Sequence, residues 1–591
     1  MNNIIEVNDL GMRYKVLDKP DVVAYSQFNL SIEENAHTIC FTGPDGAGKS
    51  TLLKLIAGVI KPTHGQLLLN GVRPSNTDPE FTKDIGYMSQ TLGLYGELSV
   101  YDNLKIFSAL RGLDVKKNED YLLDLLDRVK LLKFKDRAAD ALSGGMKQKL
   151  GLSCAIAPKP KILILDEPTV GVDPVSRQEL WDIINKYQRE TGSYVIFSTA
   201  YLEEAEKGDV ALMFNQGHVI LKGKPEELSD KVKDLTFSVD IGDLNYQRTV
   251  REVMSVSARV YKSSPLIDVV PRLSRIDVVS RQGESEKTIY EFLKSSLKLE
   301  TKVSRRKAML EDSYIYNTFM NENHEAVCDR LNPVQTVPYD QKKTVVKVEG
   351  IKKQFGTFTA VRESTFNVHK GEIFGLLGPN GAGKTTTFRM ICALLKPTEG
   401  KVEVNGYDLR YAKSDARDTI GYVSQKFSLY RNLTVYQNLE YFGLSYALSG
   451  KKLKDRIDTQ LTEFNLKDYK DTRSEHLPFG VQRQLSMACA LIHKPKILFL
   501  DEATSGADPL ARRRFWDKVS ALSNEGTSVI VTTHFMDEAE YCDNFLIQDQ
   551  GKILVLGAPD RICVKDGQRI SIEQAFIDQV LAYRSGEDKN V

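Results

Sequence analysis

The order of apolar and polar positions runs through the same programme twice. "HTICFTG", ending at Gly43, and "EIFGLLG", ending at Gly378, are continuous apolar runs, each followed by a glycine-rich turn and a helical pattern. Runs of this length without alternation predict strands buried on both faces. Further along, "ILILDE" (Ile162–Glu167) and "ILFLDE" (Ile497–Glu502) set four apolar residues ahead of two acids. That pattern predicts a buried parallel strand that delivers carboxylates at its C-terminal end. "TFSVDI", "RIDVVS" and "KTIYEFLKSSL" predict short strands and a helix in a region that has no full counterpart in the other half. The endings "MLEDSYI" and "ISIEQAFI" predict a closing helix for each half.

The repeat is literal as well as patterned. "GPDGAGKST" returns as "GPNGAGKTT", "IGYMSQTLGLYGELSVYDNL" as "IGYVSQKFSLYRNLTVYQNL", and "PKILILDEPTVGVDP" as "PKILFLDEATSGADP", all at one offset. The offset slips by one residue only before "STAYLEEAE" (Ser198–Glu206) and "TTHFMDEAE" (Thr532–Glu540). A period this long means a duplicated domain rather than a solenoid. Both "GPDGAGKST" and "GPNGAGKTT" fit the phosphate-binding P-loop pattern G-x-x-x-x-G-K-[ST], so the expected division is a first nucleotide-binding domain over 1–232, an α+β appendage over 233–320 and a polar linker over 321–344. A second nucleotide-binding domain then covers 345–561 and a tail 562–591. The fold class is α/β, two tandem P-loop NTPase domains with a small appendage after the first.

Composition narrows the class. At 591 residues the chain is too long for one core. Its 41% hydrophobic and 27% charged residues are ordinary for a globular protein, and a formal net charge of +1 argues against a nucleic-acid-coating surface. The 7 cysteines are scattered and never spaced C-x-x-C, which predicts reduced thiols without a disulfide framework or zinc site. No run suggests a signal peptide or a membrane span, so work at a membrane would need another chain to cross it. The basic clusters "SRRK" (Ser304–Lys307) and "ARRRF" (Ala511–Phe515) read as solvated faces.

The chemistry lies in the turns. Each half carries G-x-x-x-x-G-K-[ST] between strand and helix, the context that lets backbone N–H groups cradle phosphates at a helix N-terminus. The residues concerned are Gly43, Pro44, Asp45, Gly46, Ala47, Gly48, Lys49, Ser50 and Thr51 in the first half. In the second they are Gly378, Pro379, Asn380, Gly381, Ala382, Gly383, Lys384, Thr385 and Thr386. Lys49 and Lys384 are expected on the terminal phosphates of ATP. Ser50 with Asp166, and Thr385 with Asp501, are expected on Mg²⁺. Glu167 and Glu502, one residue further, stand where a general base would polarise the attacking water.

"LSGGMKQKL" (Leu142–Leu150) completes a resemblance to the ATPases of the ABC transporter superfamily, whose signature is L-S-G-G-Q ahead of a helix. The resemblance implies a helical signature subdomain in each half, and Gln90 and Gln425 between the metal site and the transport partner. It also implies Tyr14 and Phe355 stacked on adenine, and Asp173 and Asp508 in loops that cross a dimer interface. In this family two domains pair head to tail, so each ATP meets the P-loop of one and the signature of the other. The second site would combine Lys384, Thr385, Gln425, Asp501, Glu502 and His534 with Ser143, Gly144 and Gly145. The first would combine Lys49, Ser50, Gln90, Asp166 and Glu167 with Ala200, where the phosphate-sensing histidine belongs, and with Pro478, Phe479 and Gly480. Proline removes a hydroxyl and an N–H, and phenylalanine blocks close approach where a glycine is needed. Both departures fall on one site, which implies one competent and one slow site.

The endings resemble L-E-D-x-F in ATPase subunits of bacterial drug and antibiotic exporters. The implied partners are two integral-membrane permease subunits, alike or different, with a periplasmic or membrane-fusion adaptor reached through the complex and no nucleic acid. The implied place is the cytoplasmic face of the inner membrane. Ribosome-binding tandem ABC ATPases are the alternative, but those keep both signatures and join their halves by a long charged helical linker.

Overall fold

The computed structural model describes residues 3–15, 21–241, 249–254, 264–273, 275–297, 300–321, 340–424, 428–533 and 535–586. They form two compact units, one of Met1–Lys233 with Ala308–Thr318 and Gly506–Pro509, the other of Asp234–Lys307, Phe319–Ser505 and Leu510–Val591.

In the first unit β1 (Asn3–Tyr14) pairs antiparallel with β2 (Val22–Glu33), and the apolar run predicted from Thr38 is β3 (Thr38–Thr42), buried at every residue. β4 (His64–Leu69) closes the antiparallel layer on β1. The main sheet holds β5 (Ile85–Met88), β6 (Ile162–Asp166), β7 (Tyr194–Thr199), β8 (Val210–Asn215) and β9 (His218–Gly223) in the order β5-β6-β7-β3-β8-β9. All its pairings are parallel except β8 with β9. β3 and β6 are separated only by β7, so the turn after β3 and the acids ending β6 come to the same edge, the ligand edge of a parallel sheet.

The second unit begins with the appendage. β10 (Thr236–Asp240), β11 (Leu266–Arg272), β12 (Arg275–Ser280) and β13 (Lys302–Arg305) form an antiparallel sheet in the order β11-β12-β10-β13, with the helix Glu286–Leu297 packed on it. The strands and helix expected in this region are therefore present. The helix Leu310–Asn321 that follows does not belong with that sheet, since Ala308–Thr318 clusters with the first unit. Residues 322–339, most of the segment read as linker, lie outside the described residues, and β14 (Asp340–Phe355) starts inside that segment. β14 pairs with β15 (Phe358–Lys370), after which β16 (Ile373–Leu377) opens the second main sheet. With β17 (Glu399–Val404), β18 (Tyr407–Asp408), β19 (Ile420–Val423), β20 (Ile497–Asp501), β21 (Ser528–Thr532), β22 (Asn544–Asp549) and β23 (Lys552–Gly557) the first architecture is rebuilt. The main-sheet order is β19-β20-β21-β16-β22-β23.

The appendage and the second nucleotide domain share one core. Phe237, Val250, Val253, Ile276 and Leu293 pack into the same cluster as Trp516, Val519, Val529 and Tyr541. Of the two basic clusters read as solvated faces, "SRRK" is one, with Ser304, Arg305 and Lys307 exposed, and "ARRRF" is corrected. Arg512 and Arg513 are buried, Arg513 facing Asp268 at 3.4 Å, and half-buried Arg306 turns its side chain to Asp277 at 3.4 Å. Each cation is offset by an acid distant in sequence, which charge patterning along the chain does not reveal.

Candidate functional site

The two P-loops follow one plan. Gly43, Gly46 and Gly48 sit at φ 142°, 77° and 104°, and Gly378, Gly381 and Gly383 at 158°, 82° and 100°. Most of these angles lie where a side chain would be strained, which is why glycine recurs. A Cβ on Gly43 would meet Phe214 O at 2.2 Å, and one on Gly378 would meet Gln548 O at 2.2 Å. The helices Lys49–Ile56 and Lys384–Ile391 begin here without a side-chain cap, leaving their first N–H groups for an anion. Lys49 is buried with its Nζ on Gly43 O at 2.6 Å and Pro44 O at 3.0 Å. Lys384 does the same with Gly378 O and with Pro379 O at 2.9 Å. The loop carbonyls thus hold each ammonium inside the turn, where the phosphates are expected.

The acids are held by a device that sequence reading missed. Ser198 Oγ donates to Asp166 Oδ1 at 2.7 Å and accepts from Glu167 N–H at 2.9 Å. Thr532 Oγ1 repeats this with Asp501 Oδ1 at 2.7 Å and Glu502 N–H at 3.0 Å. A hydroxyl on the neighbouring strand therefore locks both carboxylate residues. Glu167 and Glu502 stand at φ 51° and 46°, a region that non-glycine residues seldom occupy. Ser50 Oγ donates to Asp166 Oδ1 at 2.9 Å, and Gln90 Nε2 to Glu167 Oε2 at 2.6 Å. Burial pushes the Glu167 carboxyl above its ordinary range against the pull of Lys49, with Asp45 and Asp166 adding to the rise. Burial likewise raises Asp501. Neutral Ser and Thr hydroxyls beside acids form a hard oxygen set suited to Mg²⁺.

A second missed device lies under the turn after β7. Glu204 is buried and accepts from Thr169 Oγ1 and Thr199 Oγ1, each at 2.6 Å. Its counterpart Glu538 accepts from Thr533 Oγ1 at 2.6 Å. Arg177 lies 4.2 Å over Tyr201, and Arg512 4.0 Å over Phe535. Ala200, buried, belongs to the first of these turns; Gln425 and His534 lie outside the described residues.

The signatures differ where the sequence predicts. Ser143 caps the helix Gly144–Ile156, its Oγ accepting from Met146 N–H at 3.4 Å, whereas Pro478 gives the helix Phe479–Leu491 no side-chain cap. A Cβ on Gly145 would stand 3.1 Å from Ser176 Oγ, while around Gly480 there is open space. Asp173 caps the helix Pro174–Thr191 through Ser176 N–H at 3.1 Å. Tyr14 and Phe355, assigned to adenine, are 36% and 49% exposed, and Tyr14 Oη lies 3.1 Å from Thr51 Oγ1.

Beyond Gln90, buried Asn103 fastens the loop Tyr95–Ser99, accepting from Tyr95 N–H at 2.9 Å and donating to Tyr95 O at 3.0 Å and Ser99 O at 3.0 Å. Buried Asn438 does the same for Tyr430–Thr434. Tyr95, Leu110, Tyr430, Tyr441 and Leu444 are exposed around these loops. Among the described residues no helix is long and apolar enough to cross a membrane.

The family described as "ABC transporter" matches residues 25–170 and 361–505. The chain is 37% identical over 581 residues to the "Probable multidrug ABC transporter ATP-binding protein YbhF" of Escherichia coli (strain K12), covering 98% of both chains. It is 38% identical over 224 residues to the "Linearmycin resistance ATP-binding protein LnrL" of Bacillus subtilis (strain 168), covering 38% of this chain and 72% of that one. It is also 40% identical over 218 residues to the "Nod factor export ATP-binding protein I" of Rhizobium sp. (strain N33), covering 37% and 72%.

Proposed function

The chain belongs to the ABC transporter family and is an ATPase, an ATP-binding subunit of a transporter; on that premise we propose that it drives export with two unequal ATP sites. Export is the reading because relatives are named for multidrug transport, linearmycin resistance and Nod factor export. The cargo class is a drug-like or lipid-like amphiphile, or an ion, passing through two separate membrane permeases at the cytoplasmic face, with an adaptor beyond them. The two loops fastened by Asn103 and Asn438 are the surfaces offered to those permeases.

In the faster site Glu502 is the general base and Lys384, Gln425 and His534 hold the terminal phosphate and water. The signature reaching it is Ser143-Gly144-Gly145. In the slower site Glu167, Lys49 and Gln90 face Ala200 and the signature Pro478-Phe479-Gly480. Ser50, Asp166 and Gln90, and Thr385, Asp501 and Gln425, would hold Mg²⁺, which supplies neutralisation of phosphate charge when bound. The observation that carries the asymmetry is the pair of signature helices, one capped by a hydroxyl and one begun by proline. A lost preorganised donor costs about 10²–10³ in rate. The test is a tagged pull-down from mildly solubilised cells together with ATPase assays. Co-purification of two polytopic proteins with the chain, and turnover destroyed by E502Q but not by E167Q, is the expected result. Ribosomal subunits in their place, or equal losses, would overturn it.

A further inference from the structure

The appendage holds the segment that follows the phosphate-sensing position of the second unit. β11 and β12 meet at Arg272–Leu273, and Leu273 stands at φ 50°, a conformation leucine rarely adopts. From that turn Leu273 N–H donates to Glu540 Oε2 at 2.5 Å, and Arg272 Nη1 lies 3.6 Å from Asp537 Oδ1. Both acids belong to the single 3₁₀ segment Met536–Tyr541. Between them, Glu538 accepts from Thr533 Oγ1, which in turn accepts from Phe535 N–H at 2.9 Å. The residues on either side of position 534 are therefore tied to the segment that the appendage grips. A second grip lies deeper. Arg251 donates to Asp543 and, at 2.6 Å, to Ser523 Oγ, and Asp543 Oδ2 accepts from Ile373 N–H, at the start of the strand that feeds the P-loop, at 2.8 Å.

The internal repeat supplies the control. Glu206 occupies the same motif position in the first unit and is exposed, while Glu540 is buried. The same "EAE" is thus solvated in one copy and enclosed by the appendage in the other, although the appendage follows the first domain in sequence.

We propose that Arg272 and Leu273 are positioning residues for ATP hydrolysis in the second unit, fixing the Met536–Tyr541 segment that directly follows the phosphate-sensing position. This rests on the reading of that unit's site as the faster one. The consequence is a cost in kcat rather than in nucleotide binding, because the P-loop contacts to ATP are made elsewhere.

The experiment uses the purified full chain with Mg-ATP. E540A and R272A are expected to lower kcat about fivefold or more, with KM for ATP within about twofold of the parent. E206A should leave both unchanged. R272K, which keeps the cation, and E540Q, which keeps an acceptor for Leu273 N–H, should recover at least half of the lost kcat. Unchanged kcat in E540A and R272A, losses matched by E206A, losses that neither conservative variant recovers, or KM rising in step would each overturn the proposal. E502Q separates it from the underlying reading. If E502Q keeps its turnover, the assignment of the faster site fails. If E502Q is inactive while E540A and R272A are normal, only the positioning role fails.

Discussion

The turn after β7 and the turn after β21 are two copies of one motif in different surroundings. Both keep the buried glutamate, Glu204 or Glu538, with its threonine donor, and both keep an arginine over an aromatic ring. They differ in the residue at the sensing position, Ala200 or His534, and in the outer acid, exposed Glu206 or buried Glu540. The shared parts are those that hold the backbone; the divergent parts are the position we propose to face phosphate and an acid that meets a neighbour. Duplication has left the scaffold alone and changed what the scaffold presents.

The largest expected effect breaks the comparison at its centre. In purified full chain, E502Q should lower steady-state ATP turnover by about a hundredfold or more, and E167Q by less than about threefold. Both glutamates share the same strained φ and the same hydroxyl lock, so the difference would come from the groups opposite them rather than from the bases themselves. Rapid-quench turnover in each variant checks this.

A repair experiment sharpens it. Restoring the phosphate-facing groups with A200H, P478S and F479G together should allow E502Q protein to regain about tenfold in turnover, through the site that holds Glu167. Single repairs should do little, because groups acting as a unit are not additive. No gain in the triple repair would mean that the slow site is limited by something other than these departures.

How much of this was legible in the sequence depended on the distance over which the cause acts. The P-loops, the strands β6 and β20 and the unequal signatures were readable because local residue types set them: glycine at positive φ, apolar runs, a proline at a helix start. The locks by Ser198 and Thr532, and the fastening by Asn103 and Asn438, were not singled out. Yet each pair stands at matching positions of the repeat, so comparing the halves for shared polar residues would have found them. The placing of the appendage was out of reach. Arg251, Asp268 and Leu273 find Asp543, Arg513 and Glu540 only across the fold, and "ARRRF" shows three cations without the acids that make its burial tolerable.

Loosening the fastened loops should cost stability more evenly across the two copies. N103A and N438A each strand several carbonyl and N–H groups that a buried side-chain amide now pairs, at about 1–3 kcal/mol apiece. Denaturant unfolding should show destabilisation in both variants, while basal ATP turnover stays near the parent value. A loss of turnover in one copy alone would show that these loops also take part in the asymmetry.

The smallest effect is a pH dependence that runs through Glu540. Burial, with Asp537 and Asp277 nearby, pushes Glu540 up to about 7 against the pull of Arg272 and of Leu273 N–H. Desolvation also pushes half-buried Asp517, near Asp268 and against the pull of Arg513 and Arg514, up to about 7. Burial, with the Glu540 charge adding to it, pushes the Cys563 thiol up to about 12. An acid raised in the folded state binds its proton more tightly there than in the unfolded chain. Stability is therefore greatest below the ordinary carboxylate range and falls as pH rises through the window up to about 7, then levels off. Each such group contributes a slope of at most about 1.4 kcal/mol per pH unit. Thermal unfolding of the full chain between pH 5 and pH 8 should show the melting temperature falling with pH by a few degrees. E540Q, neutral throughout, should flatten that fall, and E206Q should leave it as it is. A slope indifferent to E540Q would mean that the enclosed acid is not the group through which protons bear on the appendage.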